Sequence, residues 1–270
     1  MQAGLYIVGT PIGNLGDMSP RGIDTLKNAD LIACEDTRVS GILAAKFDIK
    51  TKRIPLHEHN ERETADNLIK EIQAGKSIAV ISDSGMPGIS DPGFNIVRAA
   101  RAAGISIFAV PGPTAFATAL SISGFPTDRF SFLGFMPSTE GGRNKELTQA
   151  SRHPGTLIYY ESPNRIRDTL AALARIMPER RIAVARELTK IFDEVITGYP
   201  ADFPKFEERG EIVLLIEPAA RPTLSDGDIR EIVEDVVKSA RSTKEAAIEI
   251  ASRGGIPKSE AYAKALEAKK

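Results

Sequence analysis

The chain has 270 residues, 42% hydrophobic and 26% charged, with 35 basic and 36 acidic side chains for a formal net charge of −1. That length exceeds a comfortable single core and points to two or three domains, and the balanced charge excludes a nucleic-acid binder that works through a basic whole-molecule field. A lone cysteine, Cys34, rules out an intramolecular disulfide, no run reaches the roughly 18 apolar residues of a membrane span, and MQAGLYIVG lacks the basic and apolar regions of a signal peptide, so a cytoplasmic protein is expected.

Residues 5–8 form a short β-prone run that stops at Gly9, after which TPIGNLGD continues as a flexible loop with further glycines at 13 and 16. The spacing matches neither G-x-G-x-x-G nor a loop ending in GK[ST], so neither a dinucleotide fingerprint nor a phosphate loop is supported. Ser19-Pro20 opens a helix to residue 27, serine capping and proline suiting the first turn. Residues 31–33 predict the next strand, with Cys34 a buried small residue at its end. The strand runs into Glu35-Asp36-Thr37-Arg38, a charged cluster that either positions a substrate or caps a helix. In His57-Glu58-His59-Asn60 the two histidines lack a third partner or HExxH spacing, which favours capping before a helix over 61–74 rather than a metal site.

The apolar run 78–81 leads into SDSGMPGISDPG, residues 82–93, and then into a helical pattern over 94–103. Such a strand-to-helix connection is where parallel sheets bind ligands. Its three glycines and two prolines leave few side chains to fill a core, and glycine lets the backbone approach a ligand closely. Asp83 and Asp91 place acceptors at its ends, and Asp91-Pro92 reads as the cap and first turn of the helix. Residues 105–110 repeat the theme, breaking at PGPTA with Thr114 before a small-residue helix over 115–121. Strand, glycine-rich loop and helix thus recur, predicting a parallel sheet whose loops converge on one side.

The second half differs. Strands are predicted over 130–135, 156–160, 181–186, 194–197 and 211–216, the last three close enough to be antiparallel neighbours. SPNRIRDTLAALARI carries a Ser-Pro helix start and an apolar stripe at Ile166, Leu170, Leu173 and Ile176. Residues 218–222 read as a linker. Three helices follow over 225–238, 243–252 and 258–268, resembling a helix-turn-helix, and Arg253, Lys258, Lys264, Lys269 and Lys270 fit either a solvated face or nucleic acid. The expected division is 1–118 and 119–217 for two α/β subdomains and 223–270 for a helical module.

Taken in order, VGTPIGNLGD, EDTR, SDSGMPGISDPG, VPGPTA, YYESPNR and RELTK resemble the tetrapyrrole-methylase-like superfamily of S-adenosylmethionine-dependent (class III) methyltransferases. Within it they are most similar to the bacterial enzymes that methylate ribose in 16S ribosomal RNA. The resemblance covers nearly the whole chain, through KSEAYAKAL. Ser84 and Met86 depart from the alanine and threonine usual in the central loop. The resemblance implies two α/β subdomains with the methyl donor S-adenosylmethionine in the cleft between them, commonly a homodimer. The implied substrate is a cytidine 2′-hydroxyl near the decoding centre of 16S rRNA in the small ribosomal subunit, with no metal and no membrane. Carried over by position, donor contacts fall on Thr10, Pro11 and Gly13, on Asp83, Gly85, Pro87, Gly88, Ile89, Ser90 and Asp91, on Thr114 and Ala115, and on Tyr160 against the adenosine.

A ribose hydroxyl is a poor nucleophile while protonated, so a carboxylate or an alkoxide-stabilising cation would assist. Glu35, Asp36, Arg38 and Lys190 are the catalytic candidates, with Asp91 and Glu161 as further acceptors and Arg186 as a further stabiliser; the sequence does not choose among them. The alternatives are a methyltransferase acting on a porphyrin-like small molecule and a non-catalytic RNA-binding protein of the same fold. The helical segment after Pro222 argues against the first and the intact glycine loops against the second.

Overall fold

The computed structural model describes residues 1–57, 60–219 and 226–269. These fall into two compact units, Met1–Ala219 and Ala220–Lys270. The first unit begins with β1 (Gly4–Val8), α1 (Pro20–Asn28), β2 (Leu31–Cys34), α2 (Thr37–Phe47), β3 (Arg53–Pro55), α3 (Glu61–Gln73), β4 (Ser77–Ile81), α4 (Phe94–Ala102) and β5 (Ile107–Val110). Its five strands are all parallel, in the order β3-β2-β4-β1-β5. The central strand β4 is buried along its whole length. Side chains alternate across a strand, so Ile78 and Val80 pack beneath α3 and α4 while Ala79 and Ile81 pack on the other face with Leu26, Leu43 and Cys34.

Local capping explains several helix starts. Ser19 accepts from Gly22 N at 3.0 Å to open α1, and Asp36 accepts from Arg38 N at 2.7 Å to open α2. Helix α4 is a correction. It begins at Phe94 with Gly93, not Asp91, in the cap position and makes no cap bond of its own. The cap comes from Glu61, a buried carboxylate at the start of α3, which accepts from Gly93 N and Asn95 N, each at 2.9 Å, and from Asn95 Nδ2 at 2.7 Å. Asp91 is thereby left to face a cavity.

The chain continues through α5 (Ala115–Ile122), β6 (Phe130–Phe135), α6 (Glu140–Ala150), β7 (Thr156–Glu161), α7 (Ile166–Ile176), β8 (Ile182–Arg186), β9 (Glu194–Gly198) and β10 (Ile212–Ile216). Its sheet has the order β6-β7-β10-β8-β9, parallel between β6 and β7 and antiparallel elsewhere. Helix α7 starts four residues beyond Ser162, after a turn. The division expected at 118 falls inside α5, whose Ala119 and Leu120 pack with Ile158, Val213 and Leu215 of the second sheet.

The second unit holds α8 (Asp226–Ser239), α9 (Thr243–Gly254) and α10 (Lys258–Glu267) around Ile229, Val233, Val236, Ile250, Ala261 and Ala265. Ser242 caps α9 by accepting from Glu245 N at 3.1 Å, and the Glu245 carboxylate reaches back to Arg241 N at 2.9 Å. Glu58 and His59 of the histidine motif, most of the expected linker and the first residue expected of α8 lie outside the described residues.

Replacing Glu61 with alanine leaves the amides at 93 and 95 without their acceptor and is expected to cost about 2 kcal/mol or more of stability, with glutamine at 61 costing less. Urea denaturation of the two variants beside the parent checks this; equal midpoints would contradict the capping role.

Candidate active site

Three loops leave the ends of β1, β4 and β5 on the same side of the parallel sheet, and they are stitched together by backbone. Thr10, which is buried, donates its N–H to Gly85 O at 2.9 Å and its hydroxyl to Ser82 O at 3.1 Å. Gly9 and Gly112 cross so closely that a Cβ on Gly9 would lie 2.7 Å from Gly112 Cα. Gly85 sits at φ +83°, where a Cβ would also meet Pro113 O at 3.3 Å, so a side chain there is both strained and crowded. Ser90 adopts φ 63° without being glycine.

Around these loops the first unit has two adjoining cavities. The larger, about 330 Å³, is walled by Gly85, Met86, Ile89, Ser90 and Asp91 of the central loop, by Thr114 and Ala115, by Phe135 and Tyr160, and by residues 210–213 at the start of β10. Tyr160 stands edge-on to Phe132 and Phe135, with ring centres 4.8 and 5.4 Å away. The smaller, about 250 Å³, is walled by Thr10, Pro11 and Gly13, by Val39 and Ile42 of α2, by Asp83 and by Lys190. Ile12, Ser84 and Glu211 line both.

The structure therefore gathers Gly85, Ile89, Ser90, Asp91, Thr114, Ala115 and Tyr160 at one cavity and Thr10, Pro11, Gly13, Asp83 and Lys190 at the other. Pro87 and Gly88 line neither; Gly88, at φ +81°, donates to Pro92 O at 3.1 Å and shapes the turn. Glu35, Asp36 and Arg38 also line neither. Asp36 is held by Arg38 Nη2 at 2.6 Å, and this bond keeps its carboxyl down at about 2. The Asp36 N–H supports Asp83 from behind, at 3.1 Å from Oδ1. Glu161 also lines the larger cavity, but its carboxylate, like the Arg186 guanidinium, is occupied by neighbouring partners. Glu161 accepts from Ser162 N, Arg165 and Thr169, and Arg186 bonds Glu194 and Glu207. Sequence reasoning missed Glu211, which lay at the edge of an apolar strand and carried no local sign of a site.

Charge in the site is unevenly distributed. Burial, with Glu35 and Asp83 nearby, pushes the Asp91 carboxyl up to about 6. Burial also raises Asp83, and it raises the Tyr160 hydroxyl to about 12. For Lys190 burial works against the ammonium, but bonds of 3.0 Å to both Glu187 and Glu211 prevail and raise its pKa. Its loop is fixed by left-handed residues at Glu187 and Thr189, and its stem passes so near Gly13 that a Cβ there would lie 2.7 Å from Lys190 Cγ.

The sequence model of the tetrapyrrole (corrin/porphyrin) methylases matches residues 4–203. The chain belongs to this family. It is a methyltransferase built from two α/β sheets with C-terminal helices. It is 46% identical over 237 residues to the ribosomal RNA small subunit methyltransferase I of Xylella fastidiosa, covering 85% of each chain. It is 41% identical over 276 residues to the protein of the same name from Escherichia coli O157:H7, covering 98% of this chain and 96% of that one. The solved structure of the methyltransferase CobJ matches with a TM-score of 0.62 at 22% identity, over 83% of this chain and 97% of that one, a likeness of fold.

A carboxyl raised in the folded state binds its proton more tightly than in the unfolded chain. Its contribution to stability is then present below the ordinary carboxylate range and lost as pH rises through about 6. The ligand-free protein is accordingly expected to lose melting temperature between about pH 4 and pH 6. Asp91→Asn should flatten that part of the profile; an unaltered slope would contradict the placement of Asp91.

Proposed function

We propose that this methyltransferase transfers a methyl group from S-adenosylmethionine to the 2′-hydroxyl of a cytidine near the decoding centre of 16S rRNA. The observation that carries the reading is similarity along 98% of the chain to a relative named ribosomal RNA small subunit methyltransferase I. The site chemistry agrees with it. The larger cavity is of the size that takes small organic ligands, and its walls combine aromatic and sulfur-bearing surface at Tyr160 and Met86 with a carboxylate at Asp91. Flat adenosine fits the first kind of surface and a cationic donor the second. Gly85 lines this cavity at a positive φ where any side chain would be strained and would crowd Pro113 O.

When bound, S-adenosylmethionine supplies a methyl on a sulfonium, already activated for in-line displacement. The chain's own contribution is alignment and exclusion of water, effects that can reach roughly 7–11 kcal/mol. The seam between the cavities is where the acceptor has to meet that methyl. There Glu211 is the carboxylate lining both cavities, placed to take the proton from the ribose hydroxyl. Lys190 holds Glu211 at 3.0 Å and presents a fixed positive charge to the developing alkoxide.

The partner in this reading is the small ribosomal subunit, and the location is the cytoplasm, where that subunit is found. No helix among the described residues is long and apolar enough to cross a membrane. A homodimer fits the edge strand β6, which exposes Phe130, Leu133 and Phe135. For the helical unit the basic residues favour RNA less, since Arg253 is paired with Asp235 and Glu249, and Lys264 with Glu260.

Mass spectrometry of ribosomal RNA from cells lacking the gene is expected to show loss of one ribose methyl on a cytidine. The parent gene should restore it and Gly85→Val should not. A methyl missing from a base, or no change in ribosomal RNA, would overturn the reading. With purified protein, Glu211→Gln is expected to lower kcat by about a hundredfold with donor affinity held within a few fold. Unchanged kcat would remove Glu211 from the chemistry.

A further inference from the structure

We infer that the smaller cavity is the slot for the extruded target base and that Asp83 makes it selective for cytosine by accepting from the exocyclic amino group. This rests on the RNA-methyltransferase reading above and names what its acceptor site recognises. If the donor fills the larger cavity, a ribose hydroxyl must reach the seam formed by Ile12, Ser84 and Glu211. The base on that ribose then lies on the far side of the seam. A volume of about 250 Å³ admits one nucleoside and excludes a duplex, so the nucleotide enters out of its stack, as enzymes acting on a single nucleotide commonly require.

The walls suit a planar base. Val39, Ile42 and Leu43 share one face of α2 at i, i+3 and i+4, and all three line the cavity. Leu43 is buried, yet Val39 and Ile42 remain 41% and 65% exposed, an apolar face left open at the cavity. Such a face stacks on any base and does not choose between them.

The choice falls to the edge. Asp83 Oδ1 already accepts from Asp36 N at 3.1 Å, which orients the carboxylate and leaves its second oxygen for a ligand donor. Cytosine presents an amino group, which a carboxylate accepts; uracil presents a carbonyl oxygen in the same place, which a carboxylate repels. The surroundings strengthen this. The charged groups lining it are Asp83 and Glu211 against Lys190 alone, so phosphates are disfavoured inside and only base and sugar enter. Arg38, outside the cavity, is already paired with Asp36.

The test uses small subunits reconstituted with either cytidine or uridine at the target position, and compares kcat/KM for the parent, Asp83→Asn and Ile42→Ala. Asparagine keeps an acceptor for Asp36 N while gaining an amide that can donate to uracil. Asp83→Asn is therefore expected to reduce the preference for cytidine about tenfold or more, with donor affinity unchanged. Ile42→Ala, on an exposed helix face, should raise KM for the subunit several fold and leave the preference and donor affinity intact. An unaltered cytidine preference in Asp83→Asn, or an unaltered KM in Ile42→Ala, overturns the slot. So does a loss of donor affinity in Asp83→Asn, which would make Asp83 a donor ligand. Failure of the parent protein to methylate ribose in either subunit would instead refute the proposed function, and the inference with it.

Discussion

The ligand-binding side of this protein depends on a backbone crossing that admits no side chains. Gly9 and Gly112, at the ends of β1 and β5, pass within a distance that leaves no room for a Cβ on either. That approach brings the first and third loops together over the central one, and Thr10 then locks the first loop to Gly85 and Ser82. Parallel strands place the C-terminal ends of β1, β4 and β5 side by side; the glycines let their loops pack there backbone to backbone. The large side chains that would normally fill such a junction come from elsewhere.

They come from the second sheet. Tyr160 lies near the end of β7 and Glu211 immediately precedes β10, while Lys190 follows β8 in a loop held by left-handed residues. One half of the first unit thus supplies backbone and small residues and the other supplies aromatic rings and the charged pair at the seam. Gly13 joins the halves, because its missing side chain lets the Lys190 stem reach Glu211. Two cavities with a shared wall follow from that division, and such adjacency is what the proposed direct methyl transfer requires.

What could be read from the sequence, and what could not, follows the range of the interactions involved. Strands β4, β7, β8 and β10 are dense apolar runs buried on both faces, and such runs announce themselves. Helix α2 showed only at its cap, Asp36, because Val39 and Ile42 face outward and Gly41 interrupts it; α6 was hidden by two glycines and a polar sequence. The strand β3, three residues long, is too short to carry a pattern. Asp91 looked like a cap because the local pattern favours aspartate before proline, whereas the carboxylate that does the capping is Glu61, thirty-two residues before the Gly93 amide it caps. The glycine loops of the site stood out because glycine and proline mark them in any context. Glu211 did not, since a glutamate before a strand gains its place only from the packing of two sheets.

The central claim is that the cavity between Met86 and Tyr160 holds the methyl donor and the cavity beside Asp83 and Lys190 holds the acceptor. A crystal structure of the protein with S-adenosylhomocysteine tests it most directly. The account predicts the adenosine against Tyr160, the amino-acid end near Asp91 and the sulfur directed at the seam between Ser84 and Glu211, with the smaller cavity left clear. Product bound in the smaller cavity, or with its sulfur turned away from Glu211, would contradict it.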